Sequence, residues 1–209
     1  MTEDQIISEI KRRCKSFGVR YISERRSKIE MSPGLYCSGY FDYADDAGPT
    51  LKIARKMESQ RFLGTLLHEY SHVTQWAENC TVWQEDARWS SICNTDEWLG
   101  TRRPCSKRMR NTFAARRELE ADNERRTVRL IKELDAPVDL PGYIQRANSY
   151  VHFYNVMPVT NQWYHPEKVP YSMPSVTCLF RSDRVEDDFT TTPAKQFEAL
   201  AACADTLRR

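Results

Sequence analysis

Apolar residues recur at helical spacing along much of the chain. Ile6, Ile7, Ile10 and Cys14 form the first such stripe. Thr2 and Gln5 are spaced as a capping box ahead of it and Gly18 can end it, so a helix is expected from Thr2 to Phe17. Phe62, Leu66, Tyr70, Val73 and Ala77 form a second stripe with no proline inside it, which predicts a helix over Gln60–Ala77. Asn111–Leu134 lacks glycine and proline and reads as a long helix. Another is expected over Tyr143–Met157, stopping before Pro158. Thr192-Pro193 opens a last one, with Phe197, Leu200, Ala204 and Leu207 on one side.

Between the first two helices the period changes. Val19–Ser23, Leu35–Tyr43 and Thr50–Ala54 are short and rich in β-branched or aromatic residues, with Pro33-Gly34 and Ala47-Gly48-Pro49 as turns. Residues 78–110 carry the least pattern; Trp83, Trp89 and Trp98 are read as packing anchors of a helical insert rather than as a lid. Residues 158–180 suggest ordered loop and 181–192 an exposed polar segment. The expected class is α+β and mostly helical: a small twisted N-terminal sheet, then helices. A single domain over 1–209 is expected, with the sheet and second helix in about 1–78 and a helical second half in about 79–209.

Composition narrows this little. The 209 residues are 40% hydrophobic and 29% charged, which suits a packed core. No apolar run approaches the roughly 20 residues that span a bilayer, and MTEDQIISEIKRR has no signal-peptide core, so a cytoplasmic protein with no membrane partner is expected. The seven cysteines are odd in number and widely spaced, which favours reduced thiols over a disulfide framework. A net charge of +2 makes no global case for nucleic-acid binding. Locally, Arg102, Arg103, Lys107, Arg108, Arg110, Arg116, Arg117, Arg125, Arg126 and Arg129 crowd one region. A solvated helix face is the first explanation, and a nucleic-acid surface the second.

The chemistry lies in the second stripe's helix. His68-Glu69-Tyr70-Ser71-His72 reads H-E-x-x-H. On a helix the two histidines share a face, away from the apolar stripe, and can grip one Zn²⁺, while Glu69 can act on a zinc-bound water. Two histidines and a water leave the metal one protein ligand short. Glu118 and Asp122 share a face of the long helix, with Ala114 and Ala121 permitting close approach; Glu118 suits the missing ligand and Asp122 can orient a histidine from behind. Glu120, nearly opposite, and His152 are the alternatives.

LLHEYSHVTQW resembles the active-site helix of the zincin metallopeptidases. Gln75 and Glu78 stand where the metzincin branch has a glycine and a third histidine, so that branch does not apply. Glu118-Leu119-Glu120-Ala121-Asp122 is similar to the second motif of gluzincins in the E-x-x-A-D form found in several membrane and small intracellular metallopeptidases, and the motif pair with this chain length resembles small bacterial and phage metallopeptidases. The resemblance implies a zincin-like fold, Glu118 as third ligand and Asp122 behind a histidine. It implies an endopeptidase acting on a protein or peptide, with Glu69 as general base. It also implies a tyrosine or histidine that stabilises the oxyanion, for which His152 and Tyr154 are candidates, with Tyr164 and His165 behind them. An edge strand often pairs with the extended substrate in this family, and Leu51-Lys52-Ile53 is the candidate. Two other readings remain: a non-catalytic zinc-binding regulatory protein, and a DNA-associated protease resembling the SprT-like group.

Overall fold

A computed structural model describes residues 1–32, 35–101, 103–164 and 168–204. The chain is α+β. In order, its elements are α1 (Glu3–Ser16), β1 (Arg20–Glu24), β2 (Ile29–Ser32), β3 (Leu35–Cys37), β4 (Gly39–Asp42), β5 (Thr50–Ala54), α2 (Ser59–Ala77), α3 (Thr81–Ser90), α4 (Thr95–Trp98), α5 (Lys107–Glu133), α6 (Leu140–Thr160), a 3-10 turn (Pro170–Ser172), α7 (Pro174–Thr177) and α8 (Ala194–Ala201). The expected turn at Pro33-Gly34, and Arg102, His165 and Leu207, lie outside the described residues.

The chain packs as two compact units. Met1–Cys80 joins Asn123–Leu140 in one; Thr81–Asp122 joins Pro141–Arg209 in the other. Helix α5 is continuous through the division.

In the first unit, α1 is capped as its sequence predicts: Thr2 Oγ1 accepts from the Gln5 N–H, and Gln5 Oε1 from the Thr2 N–H. Such a cap contributes about 1 kcal/mol. Phe17 caps the C-terminus and Gly18 follows at φ +71°, a conformation that a side chain disfavours. Ile6, Ile10 and Cys14 are fully buried, and α1 lies against β1 and α2.

The sheet is mixed, in the order β1-β5-β4, with β1 parallel and β4 antiparallel to β5. This corrects one expectation. Leu51-Lys52-Ile53 lies on the central strand, hydrogen-bonded on both sides, and cannot add a substrate strand. Leu51, Ile53 and Ala54 are fully buried, as a strand covered on both faces requires. β2, absent from the sequence expectation, pairs with β3 as a separate antiparallel ribbon.

In the second unit, Trp98, Met109, Phe113, Phe153, Phe180 and Leu200 belong to one core cluster. Trp98 thus anchors packing, as expected. Two helix ends differ from expectation. α5 begins four residues early, because Ser106 Oγ accepts from the Met109 N–H and caps it. α6 continues through Pro158: Pro158 sits in the last turn, where the next bonds still form, Asn161 N–H to Met157 O at 2.8 Å and Thr160 Oγ1 to Val156 O at 3.1 Å. The segment 181–192 is not simply exposed. Val185 and Phe189 are buried, and Asn148, His152 and Asn155, which share one face of α6, bind its backbone and side chains.

Candidate metal centre

Helix α2 buries Phe62, Leu63, Leu66, Leu67, Tyr70 and Val73. That burial fixes the helix and leaves His68 and His72 half-buried, with ring centroids 5.0 Å apart. Each ring is held from behind. His68 Nδ1 lies 3.1 Å from Glu124 Oε1, with the Asn123 amide 3.0 Å from the same nitrogen. His72 Nδ1 lies 2.9 Å from Gln75 Oε1. An oxygen acceptor at Nδ1, Glu124 for His68 and Gln75 for His72, favours the tautomer with its hydrogen there and its lone pair on Nε2, a form in which a histidine ligates a metal. At His68 the Asn123 amide nitrogen, a donor, competes for the same atom. Further polar bonds tie α2 to α5: Ser71 Oγ to Thr127 Oγ1 at 3.0 Å, and Arg126 to both Thr74 and Glu78.

The third member is Glu120. One ligand atom from each of His68, His72 and Glu120 lies within 4.8 Å of the other two. Glu124 on the ring of His68 explains this: Glu120 is one helical turn before it and shares its face.

The cluster takes Glu120 and not Glu118, the expected ligand two residues earlier. The Glu118 side chain is 47% exposed and its carboxylate pairs with Arg117 at 3.0 Å. The position expected of Asp122, behind a histidine, is held by Glu124 and Asn123 for His68 and by Gln75 for His72; Asp122 itself is half-buried. The sequence did carry the signal. Phe113, Glu120, Glu124, Thr127, Ile131 and Leu134 follow one another at steps of seven, four, three, four and three, and all are buried. The apolar stripe of α5 runs straight through the two glutamates. Glu118, Asp122, Arg125 and Arg129 lie on its wetter side.

Glu69 is 8% exposed. Its Cγ approaches Gly39 at the start of β4. Cys37 stands close by; burial, and then the charge of Glu69, push its thiol up to about 11.

The two expected oxyanion donors part company. His152 is fully buried, with Nδ1 3.0 Å from Thr192 Oγ1 and Nε2 3.1 Å from Glu186 Oε2, and its ring packs on Phe180 and Phe189. Both nitrogens are engaged in holding the 181–192 segment, which corrects the catalytic and ligand roles expected of it. Tyr154 is buried, with its hydroxyl 2.9 Å from that of Tyr150. Burial, followed by the charge of Glu120, holds both phenols well above their ordinary pKa. Arg116 belongs to the same surroundings. Burial pulls its guanidinium down, but Asp86 at 2.7 Å, Tyr154 and Glu120 together outweigh that and keep it charged. Tyr164 is bonded to Tyr171 at 2.7 Å.

The donor set of two imidazoles and a carboxylate fits a zinc ion, which takes nitrogen and oxygen ligands in this combination. All seven cysteines are free thiols, and among the described residues no helix is long and apolar enough to cross a membrane. The chain matches no protein-family model, no curated protein and no solved structure.

Proposed function

We propose that this chain is a zinc-dependent metallopeptidase of zincin type, with His68, His72 and Glu120 as ligands and Glu69 as general base. The observation that carries the reading is the convergence of Glu120 on a histidine pair whose Nδ1 atoms are both occupied by oxygen acceptors. Among the described residues the group has three such members. Three protein ligands are the count of zinc sites that keep a position open for chemistry; closed structural sites use four. That favours an enzyme over a zinc-stabilised binding protein.

Zinc held there would supply a Lewis acid that polarises a peptide carbonyl and acidifies water. The chain's own residues do the rest. Glu69 takes a proton from the attacking water and returns it to the leaving amine. Glu124 and Gln75 keep the histidine rings aimed. Tyr154, on which the charge of Glu120 acts, stays protonated at neutral pH, as a hydroxyl that donates to an oxyanion must. β4, a terminal strand of the described sheet that begins beside Glu69, replaces β5 as the edge for an extended peptide.

The test is zinc per chain by elemental mass spectrometry, alongside casein cleavage by wild type and Glu69→Gln. The expected result is one zinc in both proteins and cleavage only by wild type. A wild type with one zinc and no cleavage of any peptide library would leave a zinc-binding regulatory protein.

A further inference from the structure

The geometry assigns Gly39 the task of setting the position of Glu69; it is a positioning residue for the base, and this rests on the peptidase reading above. Gly39 opens β4 and pairs with Ile53 of β5. A glycine in a strand weakens it, since it packs no side chain. The usual compensation is a left-handed backbone, but Gly39 is not among the residues with positive φ. What it permits is close approach.

A Cβ built on Gly39 would lie 3.0 Å from Glu69 Cγ, 3.2 Å from Thr65 Cγ2 and 3.3 Å from the Lys52 carbonyl oxygen. Ordinary carbon–carbon contact is about 3.5–4.0 Å. The carbonyl belongs to the central strand and cannot retreat. Thr65 and Glu69 are one turn apart on α2 and would both have to give. The nearest of the three atoms is a methylene of the proposed base, so the bare backbone of Gly39 is the wall against which Glu69 rests. Cys37, two residues before Gly39, ends β3 and turns its thiol to the Ile29 carbonyl. The groups behind the histidine rings are on α2 and α5. Gly39 therefore acts on the base and leaves the metal ligands alone.

The experiment compares wild type, Gly39→Ala and the double variant Gly39→Ala/Thr65→Ser, which removes one of the two opposing carbon groups. Four readouts are taken: melting temperature, zinc per chain, kcat and KM on a peptide substrate, and the ¹³C shift of the Glu69 carboxyl, assigned with Glu69→Gln. Gly39→Ala should keep one zinc and a KM within about twofold, lose about ten- to a hundredfold in kcat, and move the Glu69 resonance. The double variant should recover part of the kcat and of the shift. Unchanged kcat with an unmoved resonance overturns the assignment, as does loss of zinc from a folded Gly39→Ala protein. If Gly39→Ala fails to fold, the double variant is measured in its place, and the same two results overturn the assignment. If wild type shows no cleavage, the carboxyl shift alone decides: a moved resonance keeps the packing role of Gly39 while the peptidase reading falls, and an unmoved one sinks both.

Discussion

Two sets of histidines, both on long helices, meet different fates in this molecule. His152 on α6 gives one ring nitrogen to Thr192 and the other to Glu186 and has no exposed surface. His68 and His72 on α2 each hold an oxygen at Nδ1, and one ligand atom of each ring lies within 4.8 Å of one on Glu120. The first arrangement closes a loop onto a helix. The second brings two rings and a carboxylate to one point. A histidine's role thus follows from which groups the fold brings to its ring, and periodicity is blind to those.

The largest effect that can break this comparison is on the metal. Glu120→Ala should lower zinc affinity by more than about a hundredfold, beyond what loss of a supporting group causes. Isothermal titration with zinc, after chelator treatment, measures it. An unchanged affinity would remove Glu120 from the ligand set.

A smaller effect belongs to the groups behind the rings. Glu124→Ala and Gln75→Ala should each weaken zinc binding by about ten- to a hundredfold. Glu124 is 5% exposed at the side chain and faces His68 as a carboxylate, so its removal should cost more than removal of the neutral Gln75. Equal losses would mean that ring orientation alone matters; no loss in either would mean that Nδ1 contacts do not aim the ligands.

His152→Ala should act on stability instead. It strips partners from Thr192 and Glu186 and leaves a hole between Phe180 and Phe189, a loss of about 2–3 kcal/mol. For a chain of this size that lowers the melting temperature by about 4–12 °C. Differential scanning calorimetry checks it, with zinc per chain expected to stay at the wild-type value. A fall in zinc would return His152 to the metal site.

The sequence made the histidine pair, the α1 cap and the strand Thr50–Ala54, though not its central place, legible because each is local: a motif within five residues, a cap within four, a strand within five. The third ligand was harder. Glu118, Glu120, Asp122 and Glu124 alternate along α5, so two registers offer a carboxylate with another one turn later. The choice depends on which face α5 buries, and only the whole stripe from Phe113 to Leu134 fixes that. His152 misled for a different reason. Its partners Thr192 and Glu186 lie 40 and 34 residues away, in a segment whose polar composition hid its two buried anchors, Val185 and Phe189.

The smallest effect is the sharpest test of that register. Glu118→Ala removes an ion pair with Arg117 whose glutamate side is 47% exposed. Pairs of this kind contribute about 0.2–1 kcal/mol, and alanine returns some of it through its helix propensity. Arg117 keeps its 2.7 Å bond to Asn155 Oδ1, so its position does not depend on Glu118. Zinc affinity in Glu118→Ala should match wild type, and the melting temperature should fall by no more than about 4 °C. The buried stripe of α5 and the E-x-x-A-D resemblance make opposite predictions here. If Glu118→Ala loses its zinc and Glu120→Ala keeps it, the motif spacing was the better guide and Glu120 is a buried carboxylate held for packing alone. If the reverse holds, the ligand was selected by the face that α5 turns toward α2.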